Sequence, residues 1–237
     1  MRNCIACFVF LFFSFYLGAQ DFLPDSVIYR LALNQTLAYN NSATTKTSGL
    51  YIGSLYVRDY YNVKGHPFFQ TDSFRKGDVF YNGVLYKNVN LLYDLSHDNL
   101  ITEYQEETKL VLVPEKIGRF ILSGHLFVRH NDPSPAGEGF YDLLFEGKFA
   151  ILVKRIRMLA TSIRSPEFNA EFVQQDNYFL YKDSIYYSVN SKKELLNVLK
   201  DKKKELKDFI SKNRPEFKKD FESALLQTAR YYDQISK

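Results

Sequence analysis

The stretch Asp78–Tyr86, DVFYNGVLY, decides the fold. Two apolar-rich runs flank Asn82-Gly83, a pair that readily takes the positive backbone angles of a two-residue type I′ turn, so the segment predicts an antiparallel hairpin. Outward from it, short runs rich in Tyr, Phe, Val, Leu and Ile recur at 90–95, 100–104, 109–113, 119–122 and 126–129, with turn residues between them. Two more hairpins are predicted, one of 139–145 and 148–154 about Glu146-Gly147, the other of 178–181 and 185–189 about Lys182-Asp183. Strand and helix patterns do not alternate, which disfavours a doubly wound α/β fold. The expected class is α+β, mainly antiparallel β over 49–190, arranged as a meander, sandwich or half-barrel.

Helical patterns bracket this region. Ile28, Leu31, Ala32, Leu37 and Ala38 form a stripe behind Asp25 or Ser26 as cap, and 40–48 is a polar run, so 20–48 reads as an N-terminal helix and linker. Ser191 and Glu194 make a capping box. The stripe Leu195, Leu199, Leu206, Phe209 and Ile210 follows, Pro215 stops it, and a second helix is expected after Asp220. Residues 191–237 are therefore predicted to be a C-terminal helical hairpin packed on the β domain by its apolar stripe. Its other face is basic, since 192–219 holds eleven Lys or Arg against five Asp or Glu. Pro133–Gly139, PSPAGEG, reads as the most pliable interior loop.

The start of the chain reads as an address. Arg2 precedes the uncharged apolar run Cys4–Leu17, and Gly18-Ala19 follows it, as in a secretory signal cleaved after Ala19. The run is shorter than the ~20 residues a spanning helix needs. Cys4 and Cys7 would leave with residues 1–19. Cys7 comes before the apolar stretch, which argues against a lipoprotein. The expected protein is extracytoplasmic, periplasmic or secreted, with neither thiol nor transmembrane segment in its mature form.

Composition narrows the function classes. The chain is 46% hydrophobic and 24% charged, as ordinary globular proteins are, which excludes disorder and collagen. A net charge of +4 over 237 residues is too diffuse for tracking phosphates, so nucleic acid is not an expected partner. The sequence contains no G-x-S-x-G elbow, P-loop, G-x-G-x-x-G or H-E-x-x-H. His125 and His130 bracket a strand, and residues five apart on a strand point to opposite faces, so they are not expected to share a metal.

Two groups remain as binding candidates. Asp94, His97 and Asp98 offer carboxylates and an imidazole for acid–base work or a hard cation, though their spacing matches no calcium loop. If the segment stays extended, the odd separation of Asp94 and His97 sends them to opposite faces, leaving the acids solvated or paired separately with Lys or Arg. In the second group, His66 precedes Pro67, and the adjacent Phe68 and Phe69 cannot both face one core. Either one is exposed for a partner or an irregular loop folds both inward. No residue is assigned a catalytic role, and no cofactor or metal is implied.

The stretches KGHPFFQTD (64–72), GDVFYNGVLYKNVNLLYDLSHDNLI (77–101), GFYDLLFEGK (139–148), YFLYKDSIYYSVNSKKELL (178–196) and ARYYDQ (229–234) resemble a family of secreted proteins of unknown function from Bacteroidota. The resemblance implies a Gram-negative envelope and carries no catalytic signature. The expected function is a non-enzymatic binding or interaction module of the cell envelope, taking a protein, glycan or lipid partner. The alternatives are a carrier holding an apolar ligand in a curved sheet and a hydrolase using acidic residues. An outer-membrane barrel is disfavoured by the Lys-rich helical tail.

Overall fold

A computed structural model describes residues 49–105, 108–131, 137–161 and 169–236. The expected signal segment, the N-terminal helix and linker, and positions 133–136 of the expected loop lie outside the described residues. Twelve strands build one sheet: β1 (Gly53–Leu55), β2 (Val63–Lys64), β3 (Arg75–Tyr81), β4 (Val84–Asp94), β5 (Asn99–Tyr104), β6 (Thr108–Leu112), β7 (Ile117–Leu122), β8 (His125–His130), β9 (Gly139–Glu146), β10 (Ala150–Thr161), β11 (Ala170–Lys182) and β12 (Ile185–Ser188). Three helices close the chain: α1 (Lys192–Val198), α2 (Lys203–Asn213) and α3 (Phe221–Ile235). Among the described residues, no helix is long and apolar enough to cross a membrane.

Tight turns set the sheet order. Asn82 and Gly83 have φ of 49° and 79°, the signature of the type I′ turn that DVFYNGVLY predicts, and Tyr81 faces Val84 across it. Ser123 and Gly124, at 52° and 82°, join β7 to β8 in the same way. The third turn is shifted by one residue from its expected place: Lys182 pairs with Ile185, so Asp183 and Ser184 make the bend. The spatial order is β1-β6-β5-β4-β3-β7-β8-β9-β10-β11-β12, with antiparallel pairing along this whole path; β2 lies parallel to β11.

The sheet does not lie flat. β4 and β8 stand three steps apart, a separation of about 14 Å in a flat sheet. The rings of Tyr93 on β4 and Phe127 on β8 nevertheless meet with centroids 5.0 Å apart. Register shifts on β3 at Gly77/Val79 and Phe80/Tyr81 add local twist and bend the strand. Rings fill the inside of the curl. Phe120 stacks on Phe127 at 4.7 Å and meets Phe140 edge-on at 5.2 Å, and these residues are essentially inaccessible. Such packing leaves the inner face occupied by the protein's own side chains.

The helices cover β9–β12. Leu195, Leu199, Leu206, Leu225 and Ala229 form one buried cluster with Phe149, Ile151, Leu180 and Val189. Ser191 Oγ accepts the Glu194 amide at 3.3 Å, as a capping box requires. The Glu194 carboxylate reaches the Asn190 amide at 2.8 Å instead of that of Ser191. The tail also has three helices where two are expected, because the first breaks at Leu199 and a 3-10 turn occupies Lys200–Lys202. Beyond the break the stripe resumes at Leu206 and Ile210, while Lys202 and Lys203 stay partly exposed. Replacing Leu206 by Ala should cost ~2–5 kcal/mol in urea unfolding, because the side chain is fully buried and its removal leaves a cavity.

Candidate functional site

The turn between β4 and β5 brings the acidic–histidine group together in a way that the extended reading does not foresee. Strand β4 ends at Asp94, and residues 95–98 form a turn with Asp98 at φ 56°, so strand alternation ceases where the group begins. Asp94, fully buried, accepts the backbone amides of Ser96 and His97 and the Ser96 hydroxyl on Oδ1, at 2.8, 3.3 and 2.6 Å. Its Oδ2 faces His97 Nδ1 at 3.0 Å and accepts from the Tyr56 hydroxyl at 3.2 Å. The expectation that Asp94 and His97 face opposite ways is therefore overturned: they touch, and Asp94 is neither solvated nor paired with Lys or Arg.

Asp98 belongs to a separate set. It pairs with Lys154 at 2.6 Å and accepts from the Tyr93 hydroxyl at 2.5 Å and the Phe140 amide at 3.1 Å. Gly139 leaves room for that junction, since a Cβ there would come within 1.9 Å of Asp98 Oδ2, at a φ of +122°. Asp98 thus ties the β4–β5 turn to β9 and β10. It does not share a site with His97.

A seryl, histidyl and aspartyl side chain in contact invites comparison with a nucleophilic relay, and the geometry rejects it. In a relay the imidazole uses one nitrogen for the carboxylate and the other for the hydroxyl. Here Ser96 Oγ and Asp94 both lie on Nδ1, while Nε2 faces Asp59 at 3.2 Å. Burial alone would lower the pKa of His97. The bond to Asp94 and the charges of Asp94 and Asp59 reverse that and raise it. The imidazolium form bridges two carboxylates from separate segments.

His66, Phe68 and Phe69 take structural places. Phe68 and Phe69 are both buried, in two clusters on different sides of β4, so the loop folds both inward and neither offers an exposed ring. The Phe69 and Leu95 amides bond to the Tyr93 and Pro67 carbonyls at 2.8 and 3.0 Å, holding the loop beside the β4–β5 turn. His66 Nδ1 accepts from the Phe68 amide at 3.2 Å and lies 3.1 Å from Arg157 Nη1. A guanidinium only donates, so Nδ1 carries no proton and His66 is neutral. Burial and then the Arg157 charge lower its pKa.

These elements enclose a cleft of about 340 Å³ between residues 59–60, the β4–β5 turn and β10. Asp59, Tyr60, His97, Arg157, Leu159 and Phe172 line it. Arg157, Leu159 and Phe172 share one face of the sheet, because Leu159 pairs with Phe172 and lies two residues from Arg157. Of the expected site residues only His97 lines this cleft, with His66 behind Arg157. The sequence reading leaves 155–161 and 170–177 unassigned, since charged and apolar residues mix there. Their only sequence signal is the two-residue spacing of Arg155, Arg157 and Leu159.

The densest charge cluster was also missed. Arg155, 7% exposed, bonds to Asp142 on β9 at 2.7 Å, Asp176 on β11 at 2.9 Å and Glu222 on α3 at 2.7 Å. His125 Nδ1 adds a contact to Asp142 at 2.7 Å. The bond to Asp142 raises the His125 pKa against the opposing effect of burial. His125 and His130 have different partners, Asp142 and Tyr186. Among the described residues no group of three or more acids and histidines is disposed to hold a metal ion. Comparison with protein families, curated proteins and solved structures finds no match for this chain.

Two outcomes are expected from the buried cluster. Arg155→Met leaves Asp142, Asp176 and Glu222 without their shared guanidinium and should cost ~3–5 kcal/mol in urea unfolding, with Arg155→Lys recovering part of the loss. A histidine with a raised folded pKa stabilises fully below its ordinary value of 6.5, and that contribution is lost as pH rises through the folded value. His125→Gln should therefore lessen the decline in melting temperature as pH rises above about 6.5. His66, with its lowered pKa, acts in the opposite sense and is common to both proteins.

Proposed function

We propose that this chain is an extracytoplasmic binding module of the cell envelope, not an enzyme, and that the cleft beside β10 is its binding site. The observation carrying the reading is the wiring of Asp94, Ser96 and His97. Asp94 and Ser96 shape the turn, His97 spans Asp94 and Asp59, and that turn forms one wall of a cleft whose other walls are largely apolar. Tyr61, Met158 and Leu159 are exposed on the segments that frame the cleft. Apolar groups left in water around a recess with a few fixed polar ones suit recognition.

The apolar segment at the start of the chain and the resemblance to secreted proteins of Bacteroidota support the envelope assignment. The carrier alternative loses its support where the curl is filled by Tyr93, Phe120, Phe127 and Phe140. The basic helical face, with Lys204 and Lys207 exposed, faces away from the packed stripe and keeps the tail hydrated.

Fractionation of the native producer should place a processed chain beginning after Ala19 in the envelope or medium; an unprocessed cytoplasmic chain would overturn the localisation. A photo-crosslinking residue at Leu159 should give a discrete adduct in intact cells, with none from the same residue at Lys204. Absence of any adduct at Leu159, or equal labelling at both positions, would count against the cleft.

A further inference from the structure

Arg155 and Arg157 lie two residues apart on the same face of β10, and their surroundings differ sharply. Arg155 meets three carboxylates. Arg157 meets none within ion-pair distance among the described residues. Its Nη1 donates to the His66 carbonyl at 2.5 Å and to His66 Nδ1, while Nε and Nη2 have no hydrogen-bond partner among those residues. Burial lowers its pKa, with only Asp176 acting the other way. A half-buried guanidinium held by one nitrogen, with donors to spare and a cleft in front of it, is prepared for an anion.

The backbone beside it is also open. Pairing of β10 with β9 ends at Val153, and the next contact on that edge is the Arg157 amide, which reaches the Leu95 carbonyl at 3.4 Å. In an antiparallel strand alternate residues turn both N–H and C=O to the same side, so Leu159, like Arg157, directs its own pair away from β11. Among the described residues no strand adds to β10 there. The Leu159 and Phe172 side chains and the Tyr60 ring supply an apolar wall next to that free edge. Of the nearby carboxylates that would repel an anion, Asp59 and Asp94 are each already bonded to His97, and Asp176 to Arg155.

Resting on the reading of the cleft as a binding site, we infer that it takes the free C-terminal carboxylate of an extended peptide ending in an apolar residue. Arg157 holds the carboxylate, the Tyr60, Leu159 and Phe172 wall receives the last side chain, and the Leu159 backbone pairs with the peptide as an added strand. A cleft of about 340 Å³ is at the small end of ligand sites, with room for one side chain and a carboxylate but not for a long acyl chain. His66 is a positioning residue: its neutral ring and carbonyl fix the guanidinium without touching the ligand.

The test is calorimetric titration of the purified mature chain with acetyl-Val-Val-Leu as free acid, the same peptide as C-terminal amide, and octanoate. The free acid should bind, the amide at least about tenfold more weakly, because the charge-assisted bonds to Arg157 are lost. Octanoate should bind more weakly than the acid peptide, having no backbone to pair with the edge. Arg157→Met should erase the preference for acid over amide, and Arg157→Lys should retain part of it. Equal affinity for acid and amide, or no binding of the acid peptide, would overturn the inference, and both are read on the unmutated protein. Tighter binding of octanoate would overturn the peptide assignment. A Leu159 crosslink in cells alongside any of these failures would leave the cleft a binding site for a different chemistry.

Discussion

A single guanidinium carries the electrostatics of the interior. Arg155 is placed where β9, β11 and the last helix meet, and each contributes one carboxylate to it. Burial of a cation is costly, and that of three anions more so, unless each has a partner in good geometry. The planar fork of arginine can serve several oxygens at once, which the point charge of a lysine cannot. Among the described residues Asp142 Oδ1 and Asp176 Oδ1 are buried without a hydrogen bond, and three carboxylates around one guanidinium leave a surplus of negative charge. That surplus favours a proton on His125. Sheet, helix and histidine are thereby coupled through one side chain.

Aromatic packing supplies the shape that this charge cluster stabilises. A sheet with this many strands in one path must twist, and here it bends until β4 meets β8, driven by rings that cannot be buried on a flat surface. The curl in turn brings the β4–β5 turn against β10, where Asp98 and Lys154 join. The cleft exists because β9 stops pairing at Val153 while β10 continues beyond it. Its walls come from segments far apart in sequence, and its polar groups are those left over after turns and ion pairs are satisfied.

Much of the fold was legible in local patterns. Asn82-Gly83 predicted its hairpin to the residue, and Ser191 predicted the start of the helical tail. The hairpin at Lys182-Asp183 was placed one residue early because Asp and Ser both tolerate the left-handed region, and only pairing decides between them. The strands at 155–161 and 170–177 give no ordinary alternation: on the first the buried position is Arg155 while Met158 and Leu159 are exposed, and on the second both faces carry polar groups. Asp142 was a visible anomaly, a charge between Tyr141 and Leu143, yet its partners on β10, β11 and α3 are set by tertiary structure. Asp94 and His97 are wrongly separated by the extended reading, since alternation holds only while the chain is extended.

The strand order has a consequence for assembly. Most neighbours in the sheet are also neighbours along the chain, so the hairpins close short loops and lose little chain entropy in doing so. The exceptions reach further: β1 pairs with β6, β3 with β7 and β2 with β11, and Glu222 joins Arg155 across 67 residues. Glu222 lies C-terminal to every described strand and is synthesised after them. Until then Arg155 has two of its three counter-charges, and the hydrophobic surface of β9–β12 waits for the helices. The nascent sheet is thus a partly finished object whose apolar flank stays open until the helix carrying Glu222 follows it.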